Sequence, residues 1–513
     1  MTDLIENISV EATPIQKFYA GANIFVTGAT GFLGRILVEK LLRSCPDVAS
    51  IYILIRNKKG KTAHDRLDEM FDDVVFKRLK DEQPKFRHKV VAVAGDCCLP
   101  DLGMSMQDRQ MLINEINIVF HVAATVRFDE KLKVAVAINV RSVQDVLKMS
   151  KEMLNLKAVV HVSTAFAYCH LNSIEERFYP PPMSYKKLLT FVDVSTETLL
   201  EKITPEVLDK WPNTYTYTKA VGEDVVNCEG VGLPVAVFRP SIVISTYKEP
   251  IKAWINNMYG PTGVVMGAGI GLLHSLHCNP KVNANIVPVD MCVNALIASA
   301  WETNKNFEES QKLNKQPPSP PVPIYHFESS NENPIAWGSF MDKCSKYGMR
   351  TPTVKAVWYY YLSLQTTLIG HNLLILFMHF LPAFLCDMAL TLFGKQPRLI
   401  KVYKKIHKFC AVISYFSTRS FEFGSKRVRS MIRNMTEQDQ KIFFCDLRKL
   451  DWDEFFLEYT EGIRVYLIGD PIETLEAAKI RWRKLYYLHQ GLKLLLLFFV
   501  VRILWAVLKI IFF

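Results

Sequence analysis

The first 300 residues alternate short apolar runs, rich in β-branched side chains, with longer amphipathic stretches such as "FLGRILVEKLLRS" (32–44). Apolar runs of this length are typical of buried strands, and amphipathic segments between them are typical of helices that cover a sheet. The pattern therefore predicts an α/β fold in which a doubly wound parallel sheet carries helices on both faces. The predicted strands are 23–27, 51–55, 89–94, 116–122, 158–163 and 234–238.

The pattern changes after residue 300. The stretch "TNKNFEESQKLNKQPPSPPVP" (303–323) is polar and then proline-rich, which predicts a linker after a first domain at 20–302. Residues 324–355 open with "IYHFES", which predicts one more strand that returns to the first domain. Residues 356–487 are largely helical in pattern and predict a mainly α second domain.

Two stretches inside 20–302 break the alternation. Residues 170–212, which include "YPPPMSYKK", are predicted to form a lid or substrate loop. The glycine-rich "GPTGVVMGAGIGLL" (260–273) is interpreted either as a flexible loop or as backbone that a ligand approaches closely.

The last segment, 488–513, is strongly apolar and predicts a membrane anchor. Residues 494–513 are twenty in number, enough for a helix to span a bilayer. Arg502 and Lys509 interrupt the segment at a seven-residue spacing that places both charges on one helix face. A helix lying in the plane of the membrane is therefore an alternative to a full span.

A second apolar segment, 372–392, contains Pro382 and Asp387. Four interpretations stay open for it: a helical hairpin, a span, the wall of an apolar ligand tunnel, or an ordinary buried helix. Together the two segments predict membrane association without fixing the topology.

The formal net charge of +11 raises the possibility of nucleic-acid binding. The basic excess is clearest in "RLIKVYKKIHK" (398–408) and "KIRWRK" (479–484), and both stretches adjoin apolar sequence. Lysine and arginine in that setting more often meet acidic lipid headgroups, so we predict a lipid partner and no nucleic acid. The eleven cysteines form no CxxC pair, so we predict that the protein has no disulfide framework and no metal site.

A glycine-rich turn follows the first predicted strand directly. In "TGATGFLG" (27–34) the glycines stand at three-residue spacing, between a buried strand and an amphipathic helix. Glycines let a backbone approach a pyrophosphate, and a helix N-terminus attracts its charge, so the turn predicts a dinucleotide site of the Rossmann type. The cofactor contacts expected from this turn are Gly28, Thr30, Gly31, Phe32, Leu33 and Gly34.

Residues after the second and third strands bear on the identity of the dinucleotide. Arg56 stands where an NAD-preferring site usually carries an acidic residue, and an arginine there can pair with a 2′-phosphate. We therefore predict NADPH as the cofactor. Asp96, after the third strand, is predicted to meet the adenine edge, with a role as a cap or turn residue as the alternative.

Two tyrosines precede a lysine in "NTYTYTKA" (213–220). On a helix, Tyr215 and Lys219 share one face, whereas Tyr217 points roughly 200° away from Tyr215. A neighbouring ammonium is expected to lower the pKa of the Tyr215 phenol, which then gives or takes a proton near neutral pH. Ser163 and Thr164 end the fifth strand, where either hydroxyl can hold a substrate oxygen.

The ordered motifs "TGATGFLG", "HVSTA" and "YTYTK" resemble the extended short-chain dehydrogenase/reductases. Further stretches resemble, more narrowly, the alcohol-forming fatty acyl-CoA reductases and the "sterile" domain of that family, and the likeness covers roughly residues 20–510. Those stretches are "FHVAATVRFDE" (120–130), "FRPSIV" (238–243), "AWINN" (253–257), "VPVDMCVNA" (287–295) and "FFCDLRKLDWDEFFLEYTEGIRVYL" (443–467). Two departures from the family pattern, "AWINN" for the commoner glycine–tryptophan pair and Phe166 for a frequent tyrosine, lie outside the proposed chemistry.

The resemblance implies reduction of a long-chain acyl-CoA to a primary alcohol by two hydride transfers from NADPH, with release of CoA. It implies that Tyr215 is the general acid, that Lys219 holds the nicotinamide ribose, and that Thr164 positions the substrate oxygen. The resemblance further implies roles around the cofactor for His121, Ala123, Ala124 and Asn139.

Other functions share part of this pattern. A membrane-bound hydroxysteroid dehydrogenase would bind its cofactor through the same motifs and would also carry a membrane anchor. A non-catalytic NADP-binding membrane scaffold would need only the glycine turn. The scattered cysteines and an N-terminus without an apolar signal segment predict a catalytic domain that faces the cytosol. We predict the endoplasmic reticulum as its location, with the peroxisomal membrane as the alternative. The chain's last residues, "IFF", do not form a peroxisomal tripeptide signal.

Overall fold

The computed structural model describes residues 11–58, 60–312 and 321–512, which fold as two compact units. The described residues of 1–251, 285–334 and 421–450 form the first unit, and those of 252–284, 335–420 and 451–513 form the second. This division differs from the predicted domain limits, because each unit is built from three separate stretches of chain.

The strands are short and, where paired, parallel. They are β1 (Asn23–Thr27), β2 (Ser50–Ile55), β3 (Val90–Ala94), β4 (Ile118–His121), β5 (Ala158–Val162), β6 (Ser173–Ile174), β7 (Val235–Pro240), β8 (Ile242–Ile244), β9 (Ser275–His277), β10 (Ile286–Pro288), β11 (Ile324–Phe327), β12 (Ser363–Gln365) and β13 (Glu422–Phe423).

The helices range from one turn to 38 residues. They are α1 (Pro14–Tyr19), α2 (Phe32–Ser44), α3 (Ala63–Phe71), α4 (Lys77–Glu82), α5 (Met106–Glu115), α6 (Leu132–Val136), α7 (Ser142–Glu152), α8 (Tyr185–Val194), α9 (Glu197–Leu208), α10 (Thr214–Glu229), α11 (Pro261–Gly269), α12 (Val289–Lys312), α13 (Trp337–Gly348), α14 (Leu368–Ile375), α15 (Leu381–Leu392), α16 (Leu399–Ser417), α17 (Lys426–Asn434), α18 (Glu437–Ile442), α19 (Trp452–Gly462) and α20 (Leu475–Phe512).

A seven-stranded parallel sheet in the order β11-β7-β5-β4-β1-β2-β3 forms the centre of the first unit. The strand order reverses between β1 and β4, and in open sheets of this kind ligands bind at the carboxyl ends of the strands beside such a reversal. Helices α2 and α12 pack together, and α12 also packs on β5 and β7. Helices α7 and α10 pack together, and their apolar residues share one core with residues of the sheet. The predicted doubly wound α/β fold is confirmed.

The strand predicted after residue 324 is also confirmed, because Ile324–Phe327 pairs in parallel with β7 at the edge of the sheet. The predicted linker 303–323 is wrong over its first part, since α12 extends to Lys312. Exposed polar side chains suit the solvated end of a long helix, where Asn304 donates to Glu308 one turn further on at 2.9 Å. Residues 313–320 lie outside the described residues.

The predicted lid or substrate loop over 170–212 contains the two helices α8 and α9, which contribute to the core. Leu188 of α8 and Leu200 of α9 are buried with the residues of the main hydrophobic core. Hydrophobic spacing within each short helix accounts for this packing, whereas the prolines between residues 179 and 183 had suggested an open loop.

Helical packing dominates the second unit. Helix α13 packs on α19, and α11 contacts both α13 and the π-helical turn Ile463–Ile468 that continues α19. The glycine-rich stretch 260–273 was interpreted as a flexible loop or as backbone that a ligand approaches closely. In the structure most of it forms the helix α11.

Two helical stretches in the described chain are long and apolar enough to cross a membrane by length and composition. One is Leu368–Leu392, in which α14 continues through a π-helical turn into α15, and the other is Ile472–Phe512, which contains α20. Leucine and phenylalanine side chains on both stretches are exposed, as a helix that faces lipid requires.

Candidate active site

The glycine turn after β1 has the geometry of a backbone cradle. Gly28 has a φ of 75°, and a Cβ there would lie 2.6 Å from the backbone nitrogen of Ala123. A Cβ on Gly34 would lie 2.3 Å from the carbonyl oxygen of Gly28, so both positions exclude a side chain. No side chain caps α2 at Gly31, which leaves the first-turn amides to a ligand. The remaining predicted contacts of this turn are Thr30, Phe32 and Leu33.

This cradle fits the pyrophosphate of a dinucleotide. Because Gly28 and Gly34 lack Cβ, their backbone lies within van der Waals distance of neighbouring backbone atoms. The N-terminus of α2 supplies positive potential. The turn also lies at the carboxyl end of β1, beside the reversal in strand order. The turn therefore has the geometry that the sequence predicts for a dinucleotide site.

The segment after β4 is fastened to this turn by Thr27, which the sequence analysis did not single out. Its hydroxyl accepts from the amide of Ala123 at 3.2 Å and is hydrogen-bonded to Nδ1 of His121 at 2.8 Å. Ser142 lies 3.1 Å from Nε2 of the same ring. His121 is thus buried with both nitrogens occupied and orients the half-buried Ala123 and Ala124.

Asn139 holds the other end of that segment. Its side chain accepts from the amide of Thr125 at 3.0 Å and donates to the carbonyl of Thr125 at 3.1 Å and to the Thr218 hydroxyl at 3.0 Å. Asn139 lies in a π-helical turn and is 1% exposed. Asn139, for which the resemblance implies a role around the cofactor, therefore positions the loop and α10 through hydrogen bonds.

Arg56 and Asp96 come together at the ends of β2 and β3. Their side chains lie 3.9 Å apart between Nη1 and Oδ2, and both remain partly exposed. Asp96 also accepts from the amide of Cys98 at 2.9 Å, which is the turn role considered as the alternative. The other carboxylate oxygen of Asp96 faces Arg56, so one acidic and one basic group border this edge of the sheet.

Helix α10 separates the two tyrosines as the spacing predicts. Tyr215 is half-buried and stacks on Phe128 with ring centroids 5.7 Å apart. Tyr217 is fully buried against Trp211, and its hydroxyl has no hydrogen-bond partner in the part of the chain that the structure describes. Only Tyr215 is therefore placed for chemistry.

The phenol of Tyr215 differs from the expectation in one respect. Burial raises its pKa to about 12, and the Thr164 hydroxyl acts in the opposite direction. The predicted lowering of the pKa by Lys219 is wrong for this structure, because Nζ of Lys219 donates to the carbonyl of Val162 at 2.7 Å instead. The phenol is thus protonated at neutral pH, which is the form a proton donor needs.

Lys219 itself is almost completely buried. Burial lowers its pKa to about 8, and Glu223 one turn further along α10 opposes that shift. Its charge also acts on the two stacked imidazoles of His121 and His161, whose centroids are 5.4 Å apart. Burial is the main cause that lowers the pKa of both rings, and the charge of Lys219 is the second. Both rings are therefore neutral at physiological pH.

Ser163 and Thr164 have different hydrogen-bond partners. The Ser163 hydroxyl donates to Glu223 at 2.5 Å, and Glu223 in turn forms a fully buried ion pair with Arg239. Thr164 caps the short 3₁₀ turn after β5, with the amide of Phe166 at 3.3 Å, and its hydroxyl contacts Tyr215. Thr164 is therefore the hydroxyl that lies with the candidate acid.

Three residues that the sequence did not indicate hold the predicted residues in place: Thr27, Thr218 and Glu223. Two of them stand inside the quoted motifs, Thr27 in "TGATGFLG" and Thr218 in "YTYTK". Their hydroxyls join residues 79 to 96 positions apart in the chain, and local patterns carry no signal for such pairings.

Among the described residues, no three His, Cys, Asp or Glu side chains are grouped so that they could hold a metal ion. The polar groups of the candidate site are thus a phenol, an ammonium, a hydroxyl and backbone amides.

Comparison with known proteins gives the family. A model of an NAD-binding domain with the description "Male sterility protein" matches residues 26–296, and a "Sterile" model with the same description matches residues 378–470. "Fatty acyl-CoA reductase wat" of Drosophila melanogaster is 42% identical over 486 residues, 95% of this chain and 92% of the relative. "Fatty acyl-CoA reductase 1" of Homo sapiens is 36% identical over 489 residues, 95% and 93% of the two chains.

Solved structures agree with the fold. The reductase domain of a non-ribosomal peptide synthetase from Mycobacterium tuberculosis superposes with a TM-score of 0.56 at 17% identity, over 87% of this chain and 92% of that one. The terminal R domain of the myxalamid biosynthetic pathway gives a TM-score of 0.55 at 17% identity, over 88% and 93% of the two chains. The NAD-binding family model covers more than half of the chain, and the relatives are 36–42% identical over most of its length. The chain therefore belongs to the fatty acyl-CoA reductase family of oxidoreductases.

Proposed function

We propose that this protein reduces a long-chain fatty acyl-CoA to the primary alcohol with NADPH, in two successive reductions that release CoA. One observation carries the proposal: the Thr164 hydroxyl contacts the Tyr215 phenol at the carboxyl edge of the sheet, the edge at which the glycine turn also follows its strand. The names of the relatives and the two apolar helical stretches, Leu368–Leu392 and Ile472–Phe512, support an acyl substrate.

The turn at Gly28 and the N-terminus of α2 would hold the dinucleotide, which when bound supplies the hydride for each reduction. The hydroxyl of Thr164 orients the carbonyl oxygen of the substrate toward Tyr215. The Tyr215 phenol, protonated at neutral pH, donates a hydrogen bond to that oxygen and then its proton as negative charge develops there. The Lys219 ammonium, which donates to the carbonyl of Val162, would hold the nicotinamide ribose of the dinucleotide.

A lipid-product assay tests this function. Detergent-solubilised protein is supplied with hexadecanoyl-CoA and either NADPH or NADH, and the extracted lipids are analysed. Hexadecan-1-ol formed with NADPH supports the proposal. Cofactor binding without any lipid product would instead support a scaffold, and oxidation of a sterol would support a hydroxysteroid dehydrogenase.

Arg56 is proposed to select NADPH through the 2′-phosphate. Replacing it with alanine removes a charged hydrogen bond of about 1.5–3 kcal/mol, so Arg56→Ala is expected to raise KM for NADPH about tenfold to a hundredfold. KM for NADH should stay the same, because NADH has no phosphate at that position. Steady-state kinetics with both cofactors provides the measurement, and Arg87→Ala, which removes a surface partner of Asp68, is the control. An equal effect on both cofactors would refute the assignment.

The pKa of Lys219, about 8, predicts the alkaline limb of the pH profile. A lysine loses its charge as the pH rises through its pKa, so the ammonium is present below about pH 8 and absent above it. Since kcat/KM reports the free enzyme, it should fall about tenfold per pH unit beyond that point. The pKa of Tyr215, about 12, places its own ionisation far above this range. A profile that stays flat to pH 10, or a Lys219→Arg variant with the same limb, would contradict the prediction.

We propose that the apolar helices attach the protein to a membrane, with the catalytic domain in the cytosol at the endoplasmic reticulum; the peroxisomal membrane is the alternative. Truncation after residue 487 removes the exposed apolar part of α20. The truncated protein is expected to float less with liposomes in a density gradient than the full chain, with reduced rather than lost binding, since Leu368–Leu392 remains. Unchanged flotation would show that α20 does not contribute to attachment.

A further inference from the structure

The stretch Leu368–Leu392 of the second unit exposes a long apolar face. Ten of its leucine, isoleucine, phenylalanine and methionine side chains are at least 44% exposed. They recur along α14, the π-helical turn Leu376–Phe380 and α15, so the face runs the length of the stretch. An exposed apolar surface of this extent on a folded protein marks a place that contacts another protein or a membrane.

The opposite face of the stretch is polar and is fastened to the second unit by hydrogen bonds. His371, His379 and Asp387 are its buried polar members. Nδ1 of His371 is hydrogen-bonded to the Ser275 hydroxyl at 2.8 Å, and Nε2 of His379 accepts from the amide of His274 at 2.9 Å. Both partners lie in β9 or directly before it, so folded polypeptide covers one side of the stretch and leaves the other side for lipid.

Helix α16 runs back along α15. The carboxylate oxygens of Asp387 accept from the backbone amides at 398–400, where α16 begins, at 2.9–3.0 Å. Nε2 of His379 is an acceptor, so its Nδ1 carries the hydrogen and donates to Nε2 of His407 at 3.1 Å. The ring of Tyr403 stacks on His379 with centroids 4.9 Å apart. The first half of α16 therefore lies antiparallel beside α15.

Four exposed lysines form the outer face of α16, here called the basic face: Lys401, Lys404, Lys405 and Lys408. At 3.6 residues per turn they fall within an arc of about 100°, centred about 150° away from Tyr403. Because Tyr403 contacts the apolar stretch, the basic face points away from it. The sequence of α16 contains no Asp or Glu, so the helix itself does not balance these charges.

The position of the basic face bears on how the apolar stretch lies in a membrane. The stretch is 25 residues long, with its midpoint at residue 380. If it crossed a bilayer, the basic face beside α15 would lie within about 11 Å of the midplane, inside a hydrocarbon core about 30 Å thick. Lysines are rare and costly at that depth. The neighbouring β9 belongs to a two-stranded sheet, and open sheet edges do not face lipid there either.

We infer that Leu368–Leu392 lies in the plane of one leaflet and does not cross the bilayer. Its apolar face contacts acyl chains, and the basic face of α16 binds acidic phospholipid headgroups of the same leaflet. A leaflet of this kind complements the apolar and the basic surface at once. The inference rests on the membrane attachment proposed above and not on the proposed reduction. It leaves Ile472–Phe512 as the remaining candidate span.

The topology of the full chain in sealed microsomes tests the in-plane arrangement. Two variants carry a recognition site for a sequence-specific protease, one before Thr366 and one after Gly394, in exposed turns at the two ends of the stretch. Protease added outside should treat both sites alike, cutting both before detergent is added or neither, and both should be cut in detergent. Cutting of one site before detergent and of the other only after it would demonstrate a span and overturn the inference.

Photoreactive phospholipids test the contacts with the leaflet. The full chain is reconstituted in phosphatidylcholine liposomes that contain a trace of phosphatidylcholine or phosphatidylserine with a diazirine in the acyl chain. After irradiation, mass spectrometry quantifies the lipid attached to each peptide. We expect attachment on the apolar face, for example at Phe384 and Met388, with a yield about threefold to tenfold higher for phosphatidylserine. High salt should reduce this ratio, because it screens exposed charges.

Variants of matched charge locate the headgroup contact. A triple variant removes most of the basic face: Lys401→Gln, Lys404→Gln and Lys405→Gln. The control removes three exposed lysines of the first unit: Lys77→Gln, Lys80→Gln and Lys85→Gln. The first variant should bring the ratio of the two lipid yields close to one, and the control should keep the ratio of the unaltered chain.

Two results of the lipid experiment would overturn the inference. One is the absence of lipid from Leu368–Leu392, which would favour a protein partner on the apolar face. The other is an equal ratio in both triple variants, which would show that the basic face does not bind headgroups. No step needs NADPH or acyl-CoA, and Tyr215→Phe should behave like the unaltered chain, so a failed reductase assay leaves this inference standing.

Discussion

Tyr215→Phe is expected to lower kcat about a hundredfold to ten-thousandfold, the usual contribution of a general acid. The variant loses the one proton donor that meets Thr164 at the carboxyl edge of the sheet, while its ring can still stack on Phe128. KM for acyl-CoA should change little, because the hydroxyl acts mainly on the transition state. Single-turnover formation of aldehyde and alcohol measures the effect on the chemical step directly.

Tyr217→Phe is the matched control from the same helical turn. Its buried hydroxyl has no partner among the described residues, so removing it deletes an unsatisfied polar group without opening a cavity. Activity should be unchanged and thermal stability equal or slightly higher. A loss of activity in Tyr217→Phe comparable with that in Tyr215→Phe would reject the assignment of the acid.

Arg239→Met is expected to destabilise the first unit by about 3–5 kcal/mol, the cost of leaving a buried charge without its partner. Arg239 and Glu223 are both completely buried, with Nε and Oε1 2.8 Å apart. The guanidinium also donates to the carbonyls of Glu175 and Arg177, which the thioether of methionine does not replace. The midpoint of thermal inactivation in detergent is the measurement, and it should fall by several degrees.

An exposed ion pair provides the comparison. Arg109 and Glu152 lie 2.6 Å apart on the surface, where solvent screens the pair, so Arg109→Met should shift the midpoint little. The double variant Glu223→Gln with Arg239→Met should recover part of the loss, since it removes the unpaired charge. Equal shifts of the midpoint for Arg239→Met and Arg109→Met would show that the buried pair stabilises the protein no more than the exposed pair does.

The ion pair also bears on the candidate site. Glu223 accepts from the Ser163 hydroxyl, which fixes the chain one residue before Thr164. Lys219 is held by the carbonyl of Val162, one residue earlier still. The end of β5 therefore orients both the hydroxyl and the ammonium, and Arg239→Met is expected to lower activity as well as stability.

The sequence by itself determined the features that depend on local spacing. Alternation of apolar runs and amphipathic stretches is a property of neighbouring residues, so the parallel sheet and its return strand at 324 could be predicted. Glycine spacing after β1 and the four-residue spacing of Tyr215 and Lys219 are equally local, and both have the predicted geometry.

Only the tertiary structure decided the features that depend on partners far apart in the chain. In the structure the Ser163 hydroxyl donates to Glu223, whereas the Thr164 hydroxyl contacts Tyr215. The sequence alone does not distinguish these two adjacent hydroxyls. The tertiary structure also raised the pKa of the Tyr215 phenol, because burial outweighs a lysine that donates elsewhere. Burial and hydrogen-bond partners arise only when distant segments of the chain pack together, so local spacing does not predict them.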